Sequence, residues 1–181
     1  TPEEEAGILM MRQEEKLARD VYLTLYEKWN IPVFANIAES EQTHMDAMEL
    51  LIERYGLDDP VTNESKDVRG SYDKVEFEEL YIEMTERGLS SYSAALEVGA
   101  LIEDLDIADL ERLISESGND DVRIVYQNLL KGSRNHLRSF DRQLVRNGSA
   151  YSPQYISVSD YQKIVSSRPE TGVITDTMFM F

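Results

Sequence analysis

Four stretches of roughly 25 residues carry apolar side chains at helical spacing, and each stripe is interrupted near its middle by a carboxylate or an imidazole. In the first, Ile8, Met11, Ala18, Tyr22 and Leu25 form the stripe and Glu15 interrupts it. In the second, Phe34, Ile37, Met48 and Leu51 flank Glu41 and His44, which are i, i+3 neighbours on one helix face. Glu103 breaks the line of Leu96, Ala100, Ile107, Leu110 and Ile114, and His136 shares a face with Leu129, Ser133 and Phe140. A buried carboxylate without a partner is strongly disfavoured, so three on inward faces require a shared cation or a shared set of hydrogen-bond donors. Nothing alternates with the two-residue period of a strand. The chain is therefore expected to be all-α.

The boundaries of the helices follow from punctuation. Acidic residues sit near the start of a helix over 3–29, where the macrodipole favours them, and Asn30 and Pro32 mark a turn. A second helix over 33–55 stops at Gly56, and so short a connection makes the two antiparallel neighbours. Residues 57–73, "LDDPVTNESKDVRGSYD", read as polar loop, followed by a short amphipathic helix over 74–87 ended by Gly88. A third long helix runs from Ser90 or Ser91 to about Glu116, and Asp120 or Asp121 is placed to cap a fourth that reaches Arg146 before Asn147 and Gly148. Two hairpins joined by a long crossover between helices 2 and 3, which carries the short extra helix, predict an up-down four-helix bundle over 1–148. Residues 149–181 form a C-terminal tail with one short helix near 159–166, and its apolar "MFMF" end is expected to pack on its own domain or on a neighbouring chain.

Composition removes several function classes. The formal charge of −17, from 18 basic and 35 acidic residues, repels phosphate backbones, and no basic stripe offsets it. Nucleic acid is excluded as a partner on that ground. With 41 % apolar and 29 % charged residues the chain has the makings of one folded domain, and no apolar run approaches the ~20 residues of a membrane span. Zero cysteines removes thiolate metal sites, disulfides and cysteine chemistry. The chain starts at Thr1 rather than Met, so N-terminal processing or truncation is expected, and a cytoplasmic or exported location stays open. No Ser-His-Asp set and no phosphate-binding glycine loop occurs.

Height along the bundle gives a second argument. Glu15 and His44 each lie about 15 residues from Asn30, and Glu103 and His136 each lie about 16 from Asn119. Within each hairpin the glutamate and the histidine therefore stand at one level, roughly 22 to 25 Å from the turn at ~1.5 Å per residue. Carboxylates with neutral imidazoles and no sulfur suit iron or manganese, with zinc as a further fit. Two such ions bridged by carboxylate, with Glu41 and then Glu103 as the candidate bridges, can react with dioxygen or peroxide. Glu14 faces Met10, Leu17 and Val21 and is the alternative to Glu15.

The motifs resemble a known family. "EEKLARDVY" is similar to the first helix of ferritin-like di-iron carboxylate proteins, in which a ligand glutamate is followed by Ala at +3 and Tyr at +7, here Glu15, Ala18 and Tyr22. "EQTH" resembles that family's Glu-x-x-His, Glu103 its third-helix glutamate and His136 its fourth-helix histidine. With "GALIEDLDIADL", "GSRNHLRSF" and "YSPQYIS", the chain more closely resembles an uncharacterised microbial ferritin-like domain family. The resemblance implies ferritin-like connectivity and two metal ions, with iron first and manganese or zinc as alternatives. Glu15 and His44 would be terminal ligands to one metal, Glu41 a bridge, and Glu103 and His136 ligands to the other. It further implies oxidoreductase, peroxidase, ferroxidase or iron-handling activity, and a homo-oligomer is compatible with it. The full pattern has a glutamate three residues before the fourth-helix histidine, where this chain has Ser133; Glu97 is the candidate to compensate.

Plainer readings stand beside these. Asp104, Asp106 and Asp109 read as a solvated face or salt-bridge partners, and Arg134, Arg138 and Arg142 as partners of acidic residues on other helices. The rival for the whole chain is a helical interaction or envelope module that keeps the fold without the metal.

Overall fold

The computed structural model describes residues 1–176, so the "MFMF" segment at 178–181, expected to pack on the chain itself or a neighbour, lies outside the described residues. All regular structure among the described residues is helical: α1 (Pro2–Trp29), α2 (Pro32–Tyr55), α3 (Val75–Leu89), α4 (Tyr92–Glu116), α5 (Asp120–Arg146) and α6 (Val158–Ser166). Local chemistry explains the ends. Thr1 and Glu4 form a reciprocal capping box at the start of α1, and Asn30 closes that helix in the left-handed conformation at φ 51°. Pro32 then occupies the first turn of α2, where its missing N–H is no loss.

Two ends differ from the sequence expectation. The cap of α5 is Asn119, whose side chain accepts from the Asp121 N–H, while Asp120 and Asp121 lie in the first turn. Gly88 does not end α3, which continues through Leu89; a Cβ at Gly88 would meet Leu25 Cδ2 at 2.6 Å, so this glycine serves close packing.

The described residues divide into two compact units, one over residues 1–98 and one from residue 99 onward, with α4 continuous across the boundary. In the first unit α1 and α2 run antiparallel: Arg12 donates to the Met45 carbonyl at 2.6 Å, and Arg19 donates to Gln42 Oε1 at 2.5 Å. Ile8, Met11, Val21, Tyr22, Leu25, Phe34, Met45 and Met48 are fully or almost fully buried there. Another face of α1 carries charge inward. Arg12 pairs with Asp59, Lys16 donates to the Val68 carbonyl, Arg19 donates to the Lys66 carbonyl, and Gln13 accepts from the Asp73 and Lys74 N–H groups. The loop over 57–74, polar as expected, is thereby tied down along α1.

In the second unit the later turns of α4 meet α5 closely. A Cβ at Gly99 would overlap the Phe140 ring, so only glycine fits at this approach. Gly99→Ala is expected to destabilise the protein by ~1–3 kcal/mol through overpacking, read as a lower urea midpoint at unchanged helix content. Asp104 is fully buried on α4 and accepts from the Tyr151 hydroxyl at 2.7 Å and from the N–H groups of Gln154, Tyr155 and Ile156 at 2.5, 3.1 and 2.9 Å. The tail beyond α6 lies along α5. Asn135 donates to the Glu170 carbonyl and accepts from its N–H, and Asn128 treats Ile174 identically. Lys131 donates to the Gly172 carbonyl between them, and Arg134 and Arg138 both pair with Glu170. Both arginines thus find an acid in the tail beyond α6.

Candidate metal centre

Glu15 lies at mid-length on α1, and Glu41 and His44 lie one turn apart on α2; the antiparallel register of the hairpin brings all three together in the first unit. His44 Nδ1 is 3.1 Å from Glu15 Oε2 and 2.7 Å from Glu41 Oε2. One atom from each residue lies within 4.8 Å of the others, and the three side chains are buried. Such a set could hold a metal ion. Glu15 is 2 % exposed, whereas Glu14 is only half-buried.

The electrostatics are those of a site short of positive charge. Burial pushes the Glu15 carboxyl up to about 8, opposed chiefly by His44. For His44, burial favours the neutral ring, but Glu15 and Glu41 outweigh it and hold the imidazole well above its ordinary value. Without a metal, then, burial holds a proton on Glu15 more firmly than on an ordinary carboxyl, beside a His44 ring that favours its charged form. Glu15 Oε1 is buried and has no hydrogen-bond partner among the described residues. A buried carboxylate oxygen in that state is an open ligand position for a cation.

In the second unit Glu103 on α4 and His136 on α5 form a second buried carboxylate–imidazole pair, with His136 Nδ1 3.3 Å from Glu103 Oε2. Ser133, one turn before His136, is buried, and its hydroxyl donates to Asp106 on α4 and lies 3.0 Å from the Leu129 carbonyl. Glu97, the residue considered as compensation for Ser133, is engaged elsewhere: Arg87 lies 3.5 Å from it, and it accepts from the Ser93 hydroxyl. The aspartates read as a solvated face or salt-bridge partners have separate fates, and Asp109 follows the salt-bridge reading. Asp104 is an internal clamp for 154–156, Asp106 meets Ser133, and Asp109 pairs with Arg112 at 2.7 Å. Spacing on one helix could not reveal this, because the partners of Asp104 come from beyond α5.

The chain is similar to known proteins along most of its length. A family model described as uncharacterized protein domain (DUF2202) matches residues 4–168. The uncharacterized protein MJ0754 of Methanocaldococcus jannaschii is 56 % identical over 171 residues, which are 94 % of this chain and 91 % of that protein. A crystal structure of hypothetical protein MJ0754 from Methanococcus jannaschii is similar with a TM-score of 0.91 at 56 % identity, covering 94 % of this chain and 95 % of that one. Neither description states an activity.

Proposed function

The chain belongs to the DUF2202 family of uncharacterized domains, and we propose that it is a ferritin-like metal protein whose carboxylate–histidine centre is dinuclear and takes iron. One observation carries the reading. Glu15, Glu41 and His44 converge in a buried group with a spare carboxylate oxygen, and no thiolate is available to direct the site toward softer chemistry. Glu15 and His44 would be terminal ligands of one ion and Glu41 the bridging carboxylate. Glu103 and His136, paired within the second unit, would serve the other ion. The order of motifs along the chain supports this assignment, as does the helix order, in which the long connection between α2 and α4 carries the short α3. The same resemblance supports a bundle over 1–148 with a tail over 149–181.

A carboxylate-bridged iron pair supplies, when bound, redox chemistry with dioxygen or peroxide. The chain's own residues do the preparatory work. Glu15 and Glu41 both meet the His44 ring at Nδ1, and because burial holds a proton on Glu15, a cation that takes its place is bound more tightly as pH rises. Manganese and zinc suit the same donors. No helix among the described residues is long and apolar enough to cross a membrane.

The test is metal content. Protein stripped of metal, reloaded anaerobically with Fe(II) and desalted is expected to retain about two irons per chain, and Glu41→Ala to lose most of them while keeping its helical circular dichroism. Retention of no iron, manganese or zinc by the wild-type chain would leave Glu15, Glu41 and His44 as a buried hydrogen-bonded network in a non-catalytic helical module.

A further inference from the structure

Ser133 occupies the position where the resembled pattern has a carboxylate, and the second metal of the proposed centre would be one negative charge short. We infer that Asp106, acting through the Ser133 hydroxyl, supplies that charge as a positioning residue for the Glu103 and His136 ligands.

Register is the first support. Glu103 and His136 form one rung between α4 and α5, and Asp106 and Ser133 form the next, three residues along each helix toward the α4–α5 turn. A glutamate one turn before a ligand histidine would project from the place Ser133 holds. Chemistry is the second. Ser133 is 1 % exposed and far too short to offer a carboxylate, yet its hydroxyl donates to Asp106. A hydroxyl whose proton is held by a carboxylate turns its lone pairs, with raised electron density, away from that acid. Charge and oxygen are thus divided between two helices: the oxygen on α5, the negative charge on α4. The residue considered for this compensation from sequence alone, Glu97, is held by Arg87 and Ser93. Finally, a glutamate at 133 would set two carboxylates against each other at this rung, so serine and Asp106 fit as a pair and glutamate with Asp106 does not.

This inference rests on the metal reading above, and one titration set separates the two. Anaerobic Fe(II) titration of the full chain is compared for wild type, Asp106→Asn, Ser133→Ala and the double variant Asp106→Ala/Ser133→Glu, each checked by circular dichroism. Wild type is expected to bind about two irons, and both single variants to bind the second iron roughly 10- to 100-fold more weakly, leaving the first unchanged. The double variant, which moves the carboxylate onto α5, is expected to regain tight binding of both. A merely structural role for Asp106 would not be rescued by Ser133→Glu. Two tight irons in a folded Asp106→Asn chain, or no recovery in the folded double variant, overturns the inference and leaves the metal reading standing. No iron in wild type overturns both.

Discussion

Asp20→Ala is expected to lower the unfolding free energy by ~3–5 kcal/mol, because it strands two buried cations rather than removing a favourable contact alone. Asp20 is fully buried and accepts from Lys16 Nζ at 2.5 Å, from Arg19 at 2.9 and 3.2 Å, from the Tyr72 hydroxyl at 3.1 Å and from the Gly70 N–H at 3.4 Å. Lys16 is itself fully buried, and burial already lowers its affinity for a proton against the pull of Asp20. It lies 4.5 Å from the centre of the Tyr72 ring, which is no substitute for a carboxylate. Urea unfolding of Asp20→Ala, Lys16→Met and the double variant Asp20→Leu/Lys16→Met would measure the coupling. The double variant is expected to be more stable than Asp20→Ala alone, since it removes the charge that the single change leaves uncompensated. Equal stability of Asp20→Ala and wild type would mean that water reaches Lys16 and Arg19.

Asp104→Ala is expected to act locally. The carboxylate is the common acceptor for Tyr151 and three successive backbone N–H groups at 154–156, and hydrogen bonds to a charged group contribute ~1.5–3 kcal/mol each. On its loss these donors recover their partners by moving into water, so the tail peels away while the helices remain. Amide exchange at 154–156 should accelerate ~100-fold or more, equivalent to roughly 3 kcal/mol of lost protection. Limited trypsin digestion should cut sooner at Lys163, with the far-ultraviolet circular dichroism of the intact chain almost unchanged. Global unfolding at a much lower temperature, without earlier tail cleavage, would show that Asp104 holds the helices and not the segment beyond them.

Both expectations concern residues whose roles spacing along one helix conceals. The stripes of α1, α2, α4 and α5 were legible because an apolar face repeats every turn whatever it packs against, and Glu15, Glu41, His44, Glu103 and His136 stood out as exceptions on those faces. The helix ends at Asn30 and Gly56 were legible for the same local reason. Lys16, Arg19 and Asp20 are buried by the return of the 57–74 loop, which spacing along α1 does not announce. Gly88 carries the signature of a helix terminator, yet the neighbour that requires a glycine there is Leu25, some sixty residues away in the chain. Asp104 was read with Asp106 and Asp109 as a solvated face or salt-bridge partners, because its donors lie about fifty residues further on. Each miss has one physical origin. The partner is distant in sequence, and its arrival changes the medium around the charge.

The paired asparagines of α5 set a rule for how this protein can change over generations. Asn128 and Asn135 grip the peptide groups of Ile174 and Glu170, which every amino acid but proline offers in full. Substitutions at 171, 173 and 175 can therefore accumulate without shifting the alignment of the strap, whereas gain or loss of a single residue between 170 and 174 would put one asparagine out of step. Descendants of this chain should tolerate many spellings of that segment and only one length.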